Sequence, residues 1–442
     1  MDISETTPSF NLKVVVQETG IKAHTLRAWE KRYGLPQPQR TSAGHRVYSA
    51  RDIELVKWLI RRQEDGLTIG RAVELWLKLQ EKGEDPLSSV VTHLPEPLAA
   101  PGESQDRLSE LRQAWIEACL QFNETAAEQV LTQAFAMFPL TMVCIEILQK
   151  GLAHIGELWQ HNEATVQQEH FATALTIQRL DTLLSAVPPA TRIGRILATC
   201  PPHEEHAVPL LLLTLLLRYR GWDVVYLRAN MPLVQFEATL NSVKPNLVIM
   251  AAQRLQTAAT LLEAANLAHA KGYNVAFGGM IFGMLPSLHT RIPGHYLGDT
   301  IEQAVSFVAK IMTFNPPQTQ VHAPTNTYHR ALDLFQSKRA LIEIETGEVL
   351  DAFRIPYHYL EDTHKRLSDS IVAALRLGDL SYINPEMALE RQLIANYGIS
   401  LDWQIRYFEA YFLAAHKHLR NGGEPIVSWL DDVRAELSTS VS

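Results

Sequence analysis

Between residues 192 and 313 short apolar runs alternate with helix-length segments. The runs are RIGRILATC, WDVVYLRA, PNLVIMAA, YNVAFGG and a shorter one near His295-Tyr296-Leu297. Strands this apolar are buried on both faces, and parallel strands need a helical crossover between them, so the pattern predicts a doubly wound parallel sheet. Such a sheet holds its ligand outside the carboxyl ends of its strands. At the first of those ends, TCPPHEEHAVPLLLLTLLL sets Glu204, Glu205 and His206 in a loop ahead of an apolar helix, roughly Val208 to Arg218. The spacing Glu204-x-His206 lets a carboxylate take the second N–H of the imidazole, the usual device for orienting a metal-bound His. A solvated loop with a spare His reads the same way. Gly278-Gly279 ends the fourth strand and permits close backbone approach to a ligand.

A chain of 442 residues holds several domains, so the remainder needs its own assignment. Residues 107–187 repeat apolar positions at three and four spacing (Leu108, Leu111, Trp115, then Val130, Leu131, Ala134), which predicts a four-helix bundle closed by Pro188-Pro189. Within it Trp159 reads as core, whereas Glu169 needs a partner if buried. Residues 11–79 read as a compact helical module with helix–turn–helix spacing about Thr19-Gly20. Gly44, between basic residues, suits a hairpin tip. Residues 11–62 carry eleven Lys or Arg against four acids, a local +7 in a chain of net charge −8. That is the footprint of a phosphate-binding face, or of a solvated basic surface. Pro-, Gly- and Ser-rich stretches at 80–106 and 314–326 read as linkers. The three cysteines show no CxxC spacing, which argues against a disulfide framework or zinc site and for a reduced, cytoplasmic setting. No signal peptide is visible and the longest apolar run is too short to span a bilayer, so no membrane role is expected.

GELWQHNEATVQQEHFAT, with Trp159 and then Glu169-His170, taken together with Glu204-x-His206, resembles the helical cap and Rossmann-like cobalamin-binding domain of the B12-dependent MerR-type regulators, the light-responsive CarH/LitR family. LRAWEKRYGLPQPQRTSAGHRVYSARDIELVKWL is similar to the recognition helix and wing of the same family. The resemblance implies a winged helix–turn–helix head at 11–79, a cap at 107–187 and a cobalamin domain at 190–313. It makes His206 the lower cobalt ligand and Glu204 its orienting partner. Trp159, Glu169 and His170 then line the upper face, where the adenosyl group sits, and Gly278 and Gly279 lie beside the nucleotide tail. It sends the helix carrying Thr25, Arg27, Lys31 and Arg32 into the major groove of an operator. It sets the wing (Arg40, His45, Arg46 and Tyr48) on flanking DNA.

The sequence departs from that family at three points. Pro209 replaces the usual Gly three residues after the His. Ala251-Ala252-Gln253 offers no small hydroxyl after the third strand. Gln160 stands where the family has the His of its light-exposed state, and His161, one residue on, points about 100° away on a helix. Residues 327–438 are extra: they begin helical, pass through IEIETGEVLDAFRIP and become helical again, rich in aromatics. An oligomerisation or signal-relay bundle is the expectation there. The alternative is a second tetrapyrrole site, haem or bilin, using His358, His364, His416 or His418.

These readings predict a transcriptional regulator, not an enzyme, controlled by adenosylcobalamin and by light, self-associating to read paired half-sites. The competing expectation keeps the DNA-binding head but gives control to a protein partner or to the C-terminal segment.

Overall fold

The computed structural model describes residues 10–19, 21–40, 44, 46–64, 67–81, 101–317, 321–350, 357–388 and 401–439. The chain divides into two units, Met1–Leu94 with Val305–Pro317, and Pro95–Ala304 with Gln318–Ser442.

The first unit is built from β1 (Phe10–Asn11), α1 (Leu12–Thr19), α2 (Ala23–Tyr33), β2 (Gln39–Arg40), β3 (Arg46–Tyr48), α3 (Ala50–Glu64) and α4 (Ile69–Glu81). Asn11 starts α1 by accepting from the backbone of Lys13 and Val14. Ser49 and Asp52 cap α3 reciprocally, each side chain accepting from the other's backbone N–H. Gly34 ends α2 in the left-handed conformation at φ 69°. The strands form an antiparallel sheet in the order β1-β3-β2. Leu26 and Trp29, one turn apart on α2, face a core with Val15, Tyr48, Leu59 and Trp76. That spacing leaves Arg27, Lys31 and Arg32 on the outer side, all exposed.

The second unit opens with α5 (Pro101–Leu120), α6 (Glu124–Met137), the helix α7, which runs through Leu140–Met142, a π segment Val143–Gln149 and Lys150–Gln160, and α8 (Val166–Ser185). Helix α5 starts at Pro101, inside the stretch expected as linker, since proline suits a helix's first turn. Residues 82–100 of that stretch lie outside the described residues. Of the apolar positions read from the sequence, Leu108, Leu111, Trp115, Leu131 and Ala134 are buried and Val130 is half-buried.

The sheet follows: β4 (Arg195–Thr199), α9 (Val208–Tyr219), β5 (Asp223–Tyr226), α10 (Phe236–Val243), β6 (Leu247–Ala251), α11 (Leu255–Ala270), β7 (Val275–Gly278), α12 (Met280–Met284), β8 (His295–Tyr296) and α13 (Ile301–Phe314), which from Val305 onward is grouped with the first unit. All neighbours are parallel, in the order β5-β4-β6-β7-β8. Strands are thus added to one side of β4 and then to the other, which makes the gap between β4 and β6 the switch point where such sheets open a crevice. The register pairs Thr199 with Met250 and Ala251 with Gly278, so the loops after β4, β6 and β7 emerge side by side.

Helices α14 (Asn326–Leu350), α15 (Tyr357–Leu377), α16 (Leu401–His418) and α17 (Glu424–Thr439) complete the unit. Helix α14 continues through IEIETGEVL. Phe335, Ile371, Leu375, Tyr407, Tyr411 and Trp429 share one continuous core with Met250, Leu261 and Phe277 of the sheet layer. Ala258, Ala264, Ala265 and Ala268 are buried on α11, and their small side chains let helices pack closely on it.

Candidate functional site

The loop after β4 is held by three hydrogen bonds to Asn230. Asn230, itself at φ 52°, donates its backbone N–H to the Glu204 carbonyl and its side-chain amide to Glu205. Its Oδ1 accepts from the His203 backbone. Pro209 sits at the start of α9, where its missing N–H costs nothing, so the change from Gly leaves the loop intact.

The Glu204 side chain is completely buried. One carboxylate oxygen accepts from the His206 backbone at 2.9 Å and pairs with His206 Nδ1 at 2.8 Å. The other accepts from the Gln253 backbone at 2.7 Å and from the Thr257 hydroxyl at 2.6 Å. Burial pushes the Glu204 carboxyl upward, but hydrogen bonds from His206, Thr257 and the Gln253 and His206 backbones outweigh it and hold the carboxyl below its ordinary value. The hydrogen bond to Glu204 raises the His206 pKa, with the Glu204 and Glu169 charges in support and burial and Arg254 in opposition. With Nδ1 committed to Glu204, the neutral ring presents Nε2 as a lone-pair donor. The imidazole itself is 62% exposed.

Residues 251–253 carry no side-chain hydroxyl, and the hydroxyl that reaches Glu204 comes from Thr257, in the first turn of α11. Sequence reasoning missed it, together with Gln253 and Asn230. Their only sequence signal was a position just beyond an apolar strand. Gln253 binds Glu204 with its backbone and accepts from the Met280 backbone with Oε1 at 2.8 Å. Its Nε2 is buried with no hydrogen-bond partner. Gly279 lies at φ 123°, and a Cβ there would fall 2.0 Å from the Ala252 carbonyl oxygen. The chain's own backbone therefore demands this glycine. Gly278 meets no such constraint, the nearest atom to an added Cβ being 3.9 Å away.

Helix α8 crosses beside this loop. Its Asp181 accepts from the two terminal guanidinium nitrogens of Arg228 after β5, at 3.0 and 3.1 Å. Its first turn carries Glu169, which accepts from the Thr173 hydroxyl at 2.8 Å and pairs with His170 Nδ1 at 2.7 Å. Glu169 is half-buried, so the condition under which it needed a partner is not met. Trp159 is half-buried near the end of α7, and His170 is exposed. His161 ends the same helix with Nδ1 against the Glu157 carbonyl at 2.7 Å, a different placement from Gln160. Cys200, at the mouth of the loop, is buried and its thiol is pushed up to about 12, so it is no thiolate ligand.

Among the described residues no three His, Cys, Asp or Glu side chains gather where they could hold a bare metal ion. A lone, carboxylate-oriented imidazole suits a metal whose other positions are filled by a macrocycle. The unpartnered Gln253 amide beside it offers such a group a buried donor. The residues present thus fit cobalamin.

In the first unit Arg27, Lys31, Arg32 and Arg40 are exposed and Thr25 is half-buried. Glu30 draws two of the expected DNA contacts inward. It accepts from Arg46 Nε at 2.8 Å and from the Tyr48 hydroxyl at 2.5 Å. Tyr48 is completely buried, so it braces the face and does not touch a ligand. Burial and the Glu30 carboxylate push its hydroxyl far above the ordinary range. Gly44, at φ 81°, has open space around it, and His45 lies outside the described residues.

The MerR HTH family regulatory protein model matches residues 10–78, and the B12 binding domain model matches residues 111–184. The HTH-type transcriptional repressor CarH of Myxococcus xanthus is 30% identical over 243 residues, 54% of this chain and 77% of its own length. CarA of the same organism, also an HTH-type transcriptional repressor, is 29% identical over 277 residues, 62% of this chain and 87% of its own. The Methanosarcina barkeri monomethylamine corrinoid protein, a solved structure, covers 47% of this chain at 14% identity with a TM-score of 0.40. Among the described residues no helix is long and apolar enough to cross a membrane. A MerR DNA-binding head, a B12 binding domain and this similarity to CarH together make the chain a member of the CarH family of transcriptional regulators.

Proposed function

We propose that this regulator binds adenosylcobalamin with His206 as the lower cobalt ligand and that light, acting on the bound cofactor, sets its assembly and its grip on DNA. The observation that carries this reading is the saturated Glu204 carboxylate: four donors fix it, and it in turn fixes the tautomer and position of His206. When bound, the cofactor supplies a photolabile Co–C bond on its upper face. Trp159, Glu169 and His170, from the four-helix bundle of 107–187, cover that face, and Gly278, Gly279 and the Gln253 amide border the nucleotide tail of the 190–313 domain. Were the adenosyl group lost, the bundle residues Trp159, Glu169 and His170 would be free to repack, and a difference in packing energy between the two states would drive the change in assembly. With Gln160 in place of a His and His161 tied to Glu157, this chain's light state lacks the family's second His ligand.

The winged helix–turn–helix of 11–79 lays α2 in the major groove of an operator. Arg27, Lys31, Arg32 and Arg40 contact DNA there, while Arg46 and Tyr48 brace the wing through Glu30. Self-association pairs two heads on two half-sites.

The test is an absorption spectrum of the purified chain with adenosylcobalamin in the dark and after green light, beside size-exclusion and operator binding. A light-dependent spectrum with altered assembly or affinity supports the proposal. No cobalamin uptake defeats it and hands control to a protein partner.

One observation favours a second tetrapyrrole among α14–α17. His364 is buried, with Nδ1 sharing a hydrogen bond with the Tyr407 hydroxyl at 2.9 Å and Nε2 without a partner. Burial lowers its pKa, which keeps the ring neutral and ligand-grade. Tyr407 and Tyr411 flank it at 5.5 and 6.4 Å. By contrast, His416 is exposed and His418 is bound to Glu345, while the His358 side chain lies outside the described residues. Absorption bands beyond those of cobalamin, lost in His364→Ala, are the expected sign of a haem or bilin there.

A further inference from the structure

Helix α11 is held at its first turn by a residue from the other end of the chain. The Leu255 backbone N–H donates to Glu386 Oε1 at 2.7 Å, from the helical residues 384–388. Helix N-termini carry unsatisfied N–H groups and partial positive charge, so a carboxylate placed there fixes the turn. The same turn supplies the Gln253 backbone N–H and the Thr257 hydroxyl that bind the second oxygen of Glu204. The Thr257 proton has a second acceptor, the Arg254 carbonyl at 3.0 Å, against 2.6 Å to Glu204. A small shift of the turn therefore moves this hydrogen bond off Glu204. Further contacts bind the two layers: Gln256 Nε2 donates to Ser370 Oγ at 2.7 Å, and Arg291 reaches the Tyr382 hydroxyl at 3.3 Å.

We infer that Glu386 is a positioning residue for His206, and that the C-terminal helices set the strength of the lower cobalt ligand through the 253–257 turn. The chain of groups is continuous: Glu386 to Leu255 N–H, the turn to Glu204, Glu204 to His206. This inference rests on the proposed ligand role of His206 only for its effect on cofactor binding. Its structural half concerns the turn and the loop and stands without the cofactor.

The experiment is hydrogen exchange of the full chain without cofactor, in peptides covering 201–207 and 251–258. Glu386→Ala is expected to speed exchange in both by about fivefold, the scale of a lost helix cap. Glu386→Gln keeps the acceptor but loses the charge and gives a smaller rise, which serves if the alanine variant does not fold. Ser370→Ala removes a neighbouring contact between the same layers and leaves 201–207 at the wild-type rate. If 201–207 exchanges at the wild-type rate in both Glu386 variants, the inference is overturned, because the cap then acts only locally. Titration with hydroxocobalamin adds the second arm: the dissociation constant rises about as much as exchange does. Wild-type chain that takes up no cobalamin refutes the ligand role of His206 and leaves the exchange result to decide the coupling.

Discussion

Glu204→Gln tests the site through its hydrogen bonds. A carboxylate accepts on both oxygens, whereas an amide accepts on one and donates on the other. The first oxygen faces the His206 backbone N–H and Nδ1, and the second faces the Gln253 backbone N–H and the Thr257 hydroxyl. The imidazole can change tautomer, and the Thr257 hydroxyl can turn to the Arg254 carbonyl. The two backbone N–H groups cannot turn away. Whichever way the amide is flipped, one of them meets an NH2 group in a completely buried position. A buried donor left unsatisfied costs ~1–3 kcal/mol, and bonds to a charge weaken from ~1.5–3 kcal/mol to the neutral value. The expected loss is ~3 kcal/mol in the unfolding free energy of the cofactor-free chain, read by urea denaturation. Because the imidazole loses its carboxylate partner, cobalamin affinity falls by about 10- to 100-fold, read by absorbance titration. A variant that unfolds at the wild-type midpoint and binds cobalamin with wild-type affinity would refute the argument, since it would mean that neither backbone donor depends on the charge.

Gly279→Ala sets a Cβ against the Ala252 carbonyl at φ 123°, so it is expected to cost ~3 kcal/mol or more, while Gly278→Ala is mild; equal midpoints for the two would contradict the geometry. Arg27→Ala is expected to lower operator affinity at every sequence and to reduce the salt slope by about one. Tyr48→Phe is expected to lower the stability of the first unit by ~1–2 kcal/mol while the salt slope stays put, because its hydroxyl braces Glu30 and meets no phosphate. Acid titration follows the lowered Glu204 pKa: its stabilisation is complete above the unfolded carboxylate value and is lost as pH falls through the lower folded one. Glu204→Gln is expected to lack that part of the acid slope, and an identical slope in both chains would argue against a depressed carboxyl.

What the sequence determined on its own were the local patterns. Four apolar runs with helix-length spacers require a parallel sheet, and Glu204-x-His206 at a strand's end puts carboxylate and imidazole within reach because they are two residues apart. Leu26 and Trp29, one helical turn apart, turn inward and so turn Arg27 and Arg32 outward. Only the tertiary structure decided the rest. Thr257 lies 53 residues from Glu204 and meets it because β4 and β6 pair in parallel, a register no local period encodes. Tyr48, which looked like a wing contact, is drawn into the core by Glu30, 18 residues earlier. The C-terminal segment, set off in sequence by a Pro-rich stretch, packs on α11 and shares the sheet's core, and Glu386 reaches Leu255 across 131 residues. Side-chain periodicity reports which face of an element is buried. It does not report what lies against that face, because close packing is satisfied by residues from any part of the chain.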